Sequence, residues 1–342
     1  MRLKRWIVAI PVLFLLNVPG WTQGKMTYKL SAEGGLSHSS FGPLASQQYL
    51  LARFNGQLKY FFNGEHSAWA LQGSLRPDLY LAETVPSSVI LQLKGEYLQQ
   101  QRHGSWGVFF ENQRQRLRFS GDGVDIDVFQ LGARGNWFVR KGQILTLGLG
   151  YNYRDFTAAI DNQLDALVLS LRWSGQPGDG LRCYGGLYGE NFRIRSLRRR
   201  ADVAGREENR GWRYGPELGL EHKKALLLSG NYRLLLHQSE LTNATALEHR
   251  VRLLFGKILT AEWSLFALFD YYFRNQSYEA LADAFLFYTP VDTENRFYLK
   301  LERDMGTRTD AYLKIGYVSE DFTLGTLNYA GWQGTVGIEI SR

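Results

Sequence analysis

His237 and Ser239 stand two residues apart in the stretch LLLHQSE, residues 234–240. On an extended strand that spacing puts both side chains on one face, as a nucleophile and its general base require. If the chain turns near Leu241 to Asn243, Glu248 falls on the next strand, where it could orient the imidazole. The chemistry would be acyl transfer through a serine. The same residues also read as a polar strand end and turn. Asp125-x-Asp127 offers a second pair of carboxylates on one face, but Gly121 and Gly123 beside it make a turn the simpler expectation. The six His are scattered. In Glu65-His66 and Glu248-His249 the adjacent side chains point to opposite faces of a strand, so neither makes a metal site. Cys183 is the only cysteine, which excludes an intramolecular disulfide and a cysteine-based zinc site and leaves it as a small wall residue. No metal or cofactor is expected.

A run of basic residues is the other candidate. Arg193, Arg195, Arg198, Arg199, Arg200, Arg206 and Arg210 cluster in a polar segment that Asp202, Glu207 and Glu208 only partly balance. As an outer loop it suits lipid phosphates, for which the guanidinium fork is well shaped. Folded inward it would favour anions, and on the opposite side of a membrane it would be a solvated loop. Net charge is +7 over 342 residues, and without the N-terminal Arg2, Lys4 and Arg5 it is about +4. That is too mild for a nucleic-acid partner, and no recognition motif accompanies it.

The elements that must carry these residues are strands. In Tyr49 to Phe62, YLLARFNGQLKYFF, the apolar Leu50, Ala52, Phe54, Leu58, Tyr60 and Phe62 alternate with Arg53, Asn55, Gln57 and Lys59. A strand sends successive side chains to opposite faces, so one face here is greasy and the other charged. About 9–11 tilted residues cross a hydrocarbon core, and this stretch is long enough. The pattern recurs from Met26 to the last residue, about sixteen times. Leu145, Leu147, Leu149 and Tyr151 repeat it against Thr146, Gly148 and Gly150, and Trp263, Leu265, Ala267 and Phe269 do so before Asp270 and Arg274 join the other face. In Val124 to Phe138 the parity is lost near Val128 and Phe129, where a bulge is expected. The polar face carries both signs: Arg53, Lys59, Lys94, Glu96, Arg250, Arg252, Lys300, Glu302 and Lys314 are the expected lining of an interior. Tyr60, Tyr97, Trp106, Tyr151, Trp173, Tyr271 and Tyr317 fall on the apolar parity, as interface girdles would. Aromatic residues make up 14% of the chain and Gly numbers 36, which suits strands, interfaces and tight turns. So many greasy faces exceed what one sandwich core can bury, and closure into a barrel also removes the edge strands.

Residues 1–24, MRLKRWIVAIPVLFLLNVPGWTQG, have a basic start, an apolar run from Trp6 to Leu16 and then small and polar residues, the layout of a secretory signal peptide. Behind it the chain from Lys25 to Arg342 reads as a single domain, an all-β, transmembrane, antiparallel up-and-down β-barrel of about 16 strands, with 14–18 as the range. It resembles the Gram-negative outer-membrane barrels of porin-like size. That resemblance implies outer-membrane lipids and lipopolysaccharide as surroundings, and barrel-assembly machinery that reads the last strand. There Val336, Ile338 and Ile340 keep the alternation, while the final residue is Arg342 rather than an aromatic. The His237, Ser239, Glu248 set is similar to the triad of outer-membrane lipid A deacylases, which are smaller barrels. Outer-membrane phospholipases have an Asn after the serine, where Glu240 stands here. Asp125 and Asp127 resemble the acidic pair of the omptin proteases, but no Asp-x-His accompanies them. The expected function is a porin-like passive channel for small polar solutes with a weak anion preference. The alternatives are a non-conducting barrel that anchors or joins an envelope or export assembly, and a lipid hydrolase using His237, Ser239 and Glu248. Self-association into a homo-oligomer is compatible with the first.

Overall fold

The computed structural model describes residues 24–41, 47–81, 87–118, 123–157, 162–196, 208–240, 245–274, 295–321 and 328–342. The expected signal peptide lies outside them, apart from Gly24. Sixteen strands follow one another, as the alternation requires. They are β1 (Lys25–Phe41), β2 (Gln47–Asn63), β3 (Ser67–Leu81), β4 (Ser87–Gln101), β5 (Gly104–Arg118) and β6 (Gly123–Arg140). Next come β7 (Gln143–Thr157), β8 (Asn162–Gly178), β9 (Leu181–Ser196), β10 (Glu208–Lys223) and β11 (Leu226–Ser239). The last five are β12 (Ala246–Ile258), β13 (Trp263–Arg274), β14 (Asn295–Asp304), β15 (Thr309–Asp321) and β16 (Asn328–Ser341). Each pairs antiparallel with its neighbours in sequence, and β1 pairs with β16 to close the barrel. The closing ladder continues through the C-terminal residue, since Tyr28 and Arg342 exchange both backbone hydrogen bonds at 3.0 Å.

The two ends of the barrel differ. At one end, which also holds both ends of the strand series, the connections have two to four residues; at the other they have four to twenty. The first will be called the turn end and the second the loop end. Gly142 in the β6–β7 turn has φ +74°, a left-handed backbone that a residue with a Cβ resists.

Period-two patterning decides which way each side chain points. Leu147, Leu149, Leu167, Leu169, Leu171, Ile315, Val336 and Ile338 are exposed on the outside of the wall, as lipid-facing residues are. Trp106, Trp137 and Trp173 stand outside near the turn end, and Trp212, Tyr271 and Trp332 outside nearer the loop end. Two aromatic levels with aliphatic residues between them are what a membrane-crossing wall presents.

One expectation is corrected. The β5–β6 register runs unbroken from Gly104↔Trp137 to Arg118↔Gly123, so there is no bulge at Val128 and Phe129. The only shift in β6 comes between Phe138 and Arg140, against β7. Val128 and Phe129 are both apolar because the inner face at that level is apolar as well: Val128 is buried inside beside Ile126.

Candidate functional site

Arg53, Lys59, Lys94, Glu96, Arg250, Arg252, Lys300, Glu302 and Lys314 lie on the parity opposite to the exposed leucines of their strands, the inner face of the wall. Most are paired. Arg53 donates to Glu33 at 2.7 Å and to Asp78 at 2.8 Å, and Lys314 reaches Glu33 at 2.7 Å. Lys94 meets Glu111 at 3.0 Å, Glu96 meets Arg134, and Lys300 meets Glu302. On the opposite wall Arg252 holds Asp270 through Nε at 2.8 Å, with Arg250 3.7 Å from the same carboxylate.

Water reaches this inner wall unequally. Toward the turn end Lys94, Glu96 and Arg134 keep 41%, 43% and 44% of their side chains exposed. Toward the loop end the inner face excludes water. Tyr49, Leu51, Leu117, Ile126, Val128 and Phe156 are buried there, as are Leu164, Ala166, Phe192 and Ile194, which form one apolar cluster on β8 and β9. The inner wall is therefore wetted and charged toward the turn end and apolar, ion-paired and water-excluded toward the loop end.

The His237–Glu248 pair belongs to that water-excluded layer. Opposite His237 in register stands Ala246, with Glu248 opposite Leu235. The contact is diagonal, His237 Nδ1 to Glu248 Oε1 at 2.6 Å. Both side chains face the interior and are essentially inaccessible. Arg213 of β10 donates through Nε to Glu248 at 2.8 Å and through Nη1 to Glu190 of β9 at 2.7 Å, so one guanidinium ties β9 to β12. The Phe192 ring meets the imidazole edge-on, centroids 5.2 Å apart. Ser239 is half-buried on the same inner parity at the end of β11. The structure thus brings His237 and Glu248 together, but behind the wall rather than on its lipid-facing side.

The basic run is only partly a loop. Arg193 and Arg195 lie on β9, and Arg210 lies on β10, paired in register with Arg193. All three point outward, not into the interior. Arg193 and Arg210 share Glu208, and Arg195 reaches Asp165 at 2.5 Å. Arg198, Arg199, Arg200 and Arg206 lie outside the described residues. Asp125 and Asp127 are not in a turn but on β6, outward, where Arg114 holds Asp127 at 2.6 Å and Arg118 holds Asp125 at 3.0 Å. On their own strands these charges sit on the loop side of the last exposed apolar residues.

Sequence reading missed the partners that make these networks: Glu33, Asp78, Glu111, Arg134, Arg172, Arg213 and Glu217. Each lies on the polar parity of its strand, so the signal was present. Pairing them requires the cross-strand register, which alternation alone does not supply.

No family model matches the sequence, and no curated protein is similar to it. Solved structures are. CdiB from Acinetobacter baumannii is similar at TM-score 0.51 and 8% identity, over 93% of this chain and 60% of that one. BauA, the ferric preacinetobactin receptor of the same organism, matches at TM-score 0.42 and 10% identity over 86% of this chain and 54% of that one. The ferric-catecholate import receptor Fiu from E. coli K12 matches at TM-score 0.42 and 7% identity, over 95% and 82%. The chain spans 60% of the length of CdiB and 54% of that of BauA. The fold is that of the Gram-negative outer-membrane β-barrels.

Proposed function

We propose that the chain is exported behind the signal peptide of residues 1–24 and forms an outer-membrane barrel that passes small polar solutes, anions ahead of cations, from a resting state closed toward the loop end. The observation that carries this reading is the half-exposed, charged inner wall at the turn end, where Lys94, Glu96 and Arg134 meet water. Wetted charge on the inside of a sixteen-strand wall is what an aqueous conduit has and a filled core avoids. Anion preference follows from unequal pairing, since Asp270 lies within 4.0 Å of Arg250, Arg252 and Arg296, and Glu217 is shared by Arg172 and Arg233. Outer-membrane barrels have short periplasmic turns and longer outer loops, which puts the turn end in the periplasm. Arg193, Arg195 and Arg210 then stand at the outer leaflet, where lipopolysaccharide phosphates lie. The outward Val336, Ile338 and Ile340 of β16 suit recognition by barrel-assembly machinery.

A second reading is favoured by the water-excluded layer at the loop end: a barrel that never conducts and serves as an anchor or envelope component. A lipid hydrolase built on His237, Ser239 and Glu248 has the imidazole–carboxylate hydrogen bond in its favour, but a lipid substrate would have to reach a buried pair from the lumen side. Planar-bilayer recording of the refolded protein under a salt gradient separates these readings. Discrete steps whose reversal potential favours anions support the conduit. Silence from protein shown to be folded and inserted supports the anchor.

A further inference from the structure

At mid-height on the inner wall the register lines up one row of side chains across five neighbouring strands. Arg172 of β8 stands opposite Gly186 of β9, which stands opposite Glu217 of β10; Glu217 faces Arg233 of β11, and Arg233 faces Arg250 of β12. The next inward row runs from Asn231 of β11 to Arg252 of β12 and on to Asp270 of β13. The two carboxylates are the anchors of this belt. Glu217 has no exposed surface and accepts from Arg172 Nε at 3.0 Å and Nη2 at 2.9 Å, and from Arg233 Nη2 at 3.0 Å. Asp270 is 5% exposed and accepts from Arg252 Nε at 2.8 Å and Nη2 at 2.5 Å.

Aromatic rings hold the guanidinium groups from the side. Arg172 lies over Tyr184 at 4.3 Å from the ring centroid, and Arg233 over Tyr188 at 3.9 Å. Gly219 leaves room for the Tyr184 ring, since a Cβ there would come within 2.0 Å of it. The carboxylates are therefore hidden, while Arg172 and Arg252 remain 39% and 47% exposed toward the lumen. Each uses Nε and Nη2 on its own carboxylate, so the Nη1 edges take no part in those pairs.

We propose that this belt on β8–β13 carries oxyanion-binding positions, in which Arg172 and Arg233, oriented by buried Glu217, and Arg250 and Arg252, oriented by buried Asp270, hold a carboxylate or phosphate group of a small solute. Each buried carboxylate there is shared by two arginines, and a preorganised fork of N–H donors matches a planar or tetrahedral oxyanion. Buried anchors fix the arginines before the ligand arrives, which lowers the ordering cost of binding. The belt stands at about the height of the water-exposed Lys94 and Arg134, where a passing anion would meet the inner wall. The proposal deepens the anion-passing reading and takes its physiological sense from it, but binding itself needs no open pore.

The test is equilibrium binding of inorganic phosphate, and in a second arm citrate, to the full refolded chain in detergent, alongside bilayer recording. Saturable binding is expected in the wild type and weakening of about tenfold for each arginine lost in Arg172→Gln and Arg252→Gln, the scale of one charge-assisted contact. Arg303→Gln, a turn-end control outside the belt, should bind as the wild type does. Arg252→Lys keeps the charge and gives a variant milder to folding; it should weaken binding by less than Arg252→Gln, because the fork and not only the charge is lost. Binding retained in a silent bilayer would remove the conduit and leave the subsite standing. The subsite is overturned if folded wild-type protein binds neither anion, or if both Gln variants bind as tightly as the wild type.

Discussion

Replacing Arg213 by Met tests whether the buried ion network at the loop end holds the wall together. Arg213 is 5% exposed and bridges Glu190 and Glu248, each about 1% exposed. Removing one partner from a buried ion pair costs about 3–5 kcal/mol, because the remaining charge is left in a poorly polarisable surrounding. Here two carboxylates lose the same cation, yet each keeps a neighbour. Glu190 still accepts from Tyr188 Oη at 3.1 Å, and Glu248 still meets His237 at 2.6 Å with Arg274 3.9 Å away. Those remaining contacts argue for the lower end, about 3 kcal/mol. The assay is urea unfolding and refolding in lipid vesicles, followed by tryptophan fluorescence and extrapolated linearly. A cycle with Glu248→Gln adds a sharper requirement. The double variant should be more stable than the sum of the single losses implies, by about 0.5–3 kcal/mol, because neutralising one carboxylate relieves the charge that Arg213→Met exposes. Stability of Arg213→Met within about 0.5 kcal/mol of wild type, the range of an ordinary surface change, would refute the reasoning. It would mean that water reaches this layer.

Three further outcomes follow from the same geometry. His237→Ala should lower stability by about 1–3 kcal/mol, through an underpartnered buried carboxylate, while lipid-ester hydrolysis stays the same in wild type, His237→Ala and Ser239→Ala; loss of a measurable esterase activity in Ser239→Ala would instead establish a catalytic serine. Gly219→Val drives a side chain into the Tyr184 ring and should cost about 1–3 kcal/mol, with recovery when Tyr184→Ala is added; an unchanged unfolding curve for Gly219→Val would show that the ring does not lie there. Reversing Arg193, Arg195 and Arg210 to Glu should weaken association with lipopolysaccharide-containing vesicles relative to zwitterionic ones, and raised salt should erase the difference; equal association of both proteins at low salt would count against an outer-leaflet contact.

The strand count and the inward or outward direction of most residues were legible because alternation is a local property. Arg53, Lys94 and Lys314 each have apolar neighbours one residue away, and that alone sends them inside. Register is not local. Nothing in residues 208–223 says that Glu217 will meet Arg172 from two strands away, and so the belt could not be drawn from the sequence. The basic segment was misjudged for a related reason. Glu208 stands opposite Arg195 in a continuing ladder, so charged residues that read as loop are wall. Parity also misled at Val128 and Phe129, where the alternation rule assumes that the apolar face meets lipid. Toward the loop end of β5 and β6 the outer face is charged instead, and there Arg114, Asp125 and Asp127 point out while Leu117, Ile126 and Val128 point in.

That inversion explains where the water-excluded layer of the inner face lies. β6 has 18 residues and β8 has 17, well beyond the span a membrane requires. The surplus carries charged residues such as Asp127 and Arg193 on its outer face. A sheet wetted on both faces has no apolar burial to hold it, and three or more strands become independently stable when one face is packed. Turning Leu117, Val128, Phe156, Leu164 and Phe192 inward gives the extension such a face. The water-excluded layer is then a consequence of stabilising these long strands toward the loop end, and the charged wall below it is free to stay wet. A conduit through this barrel would have to open past that apolar layer, above the arginines that line the wall below it.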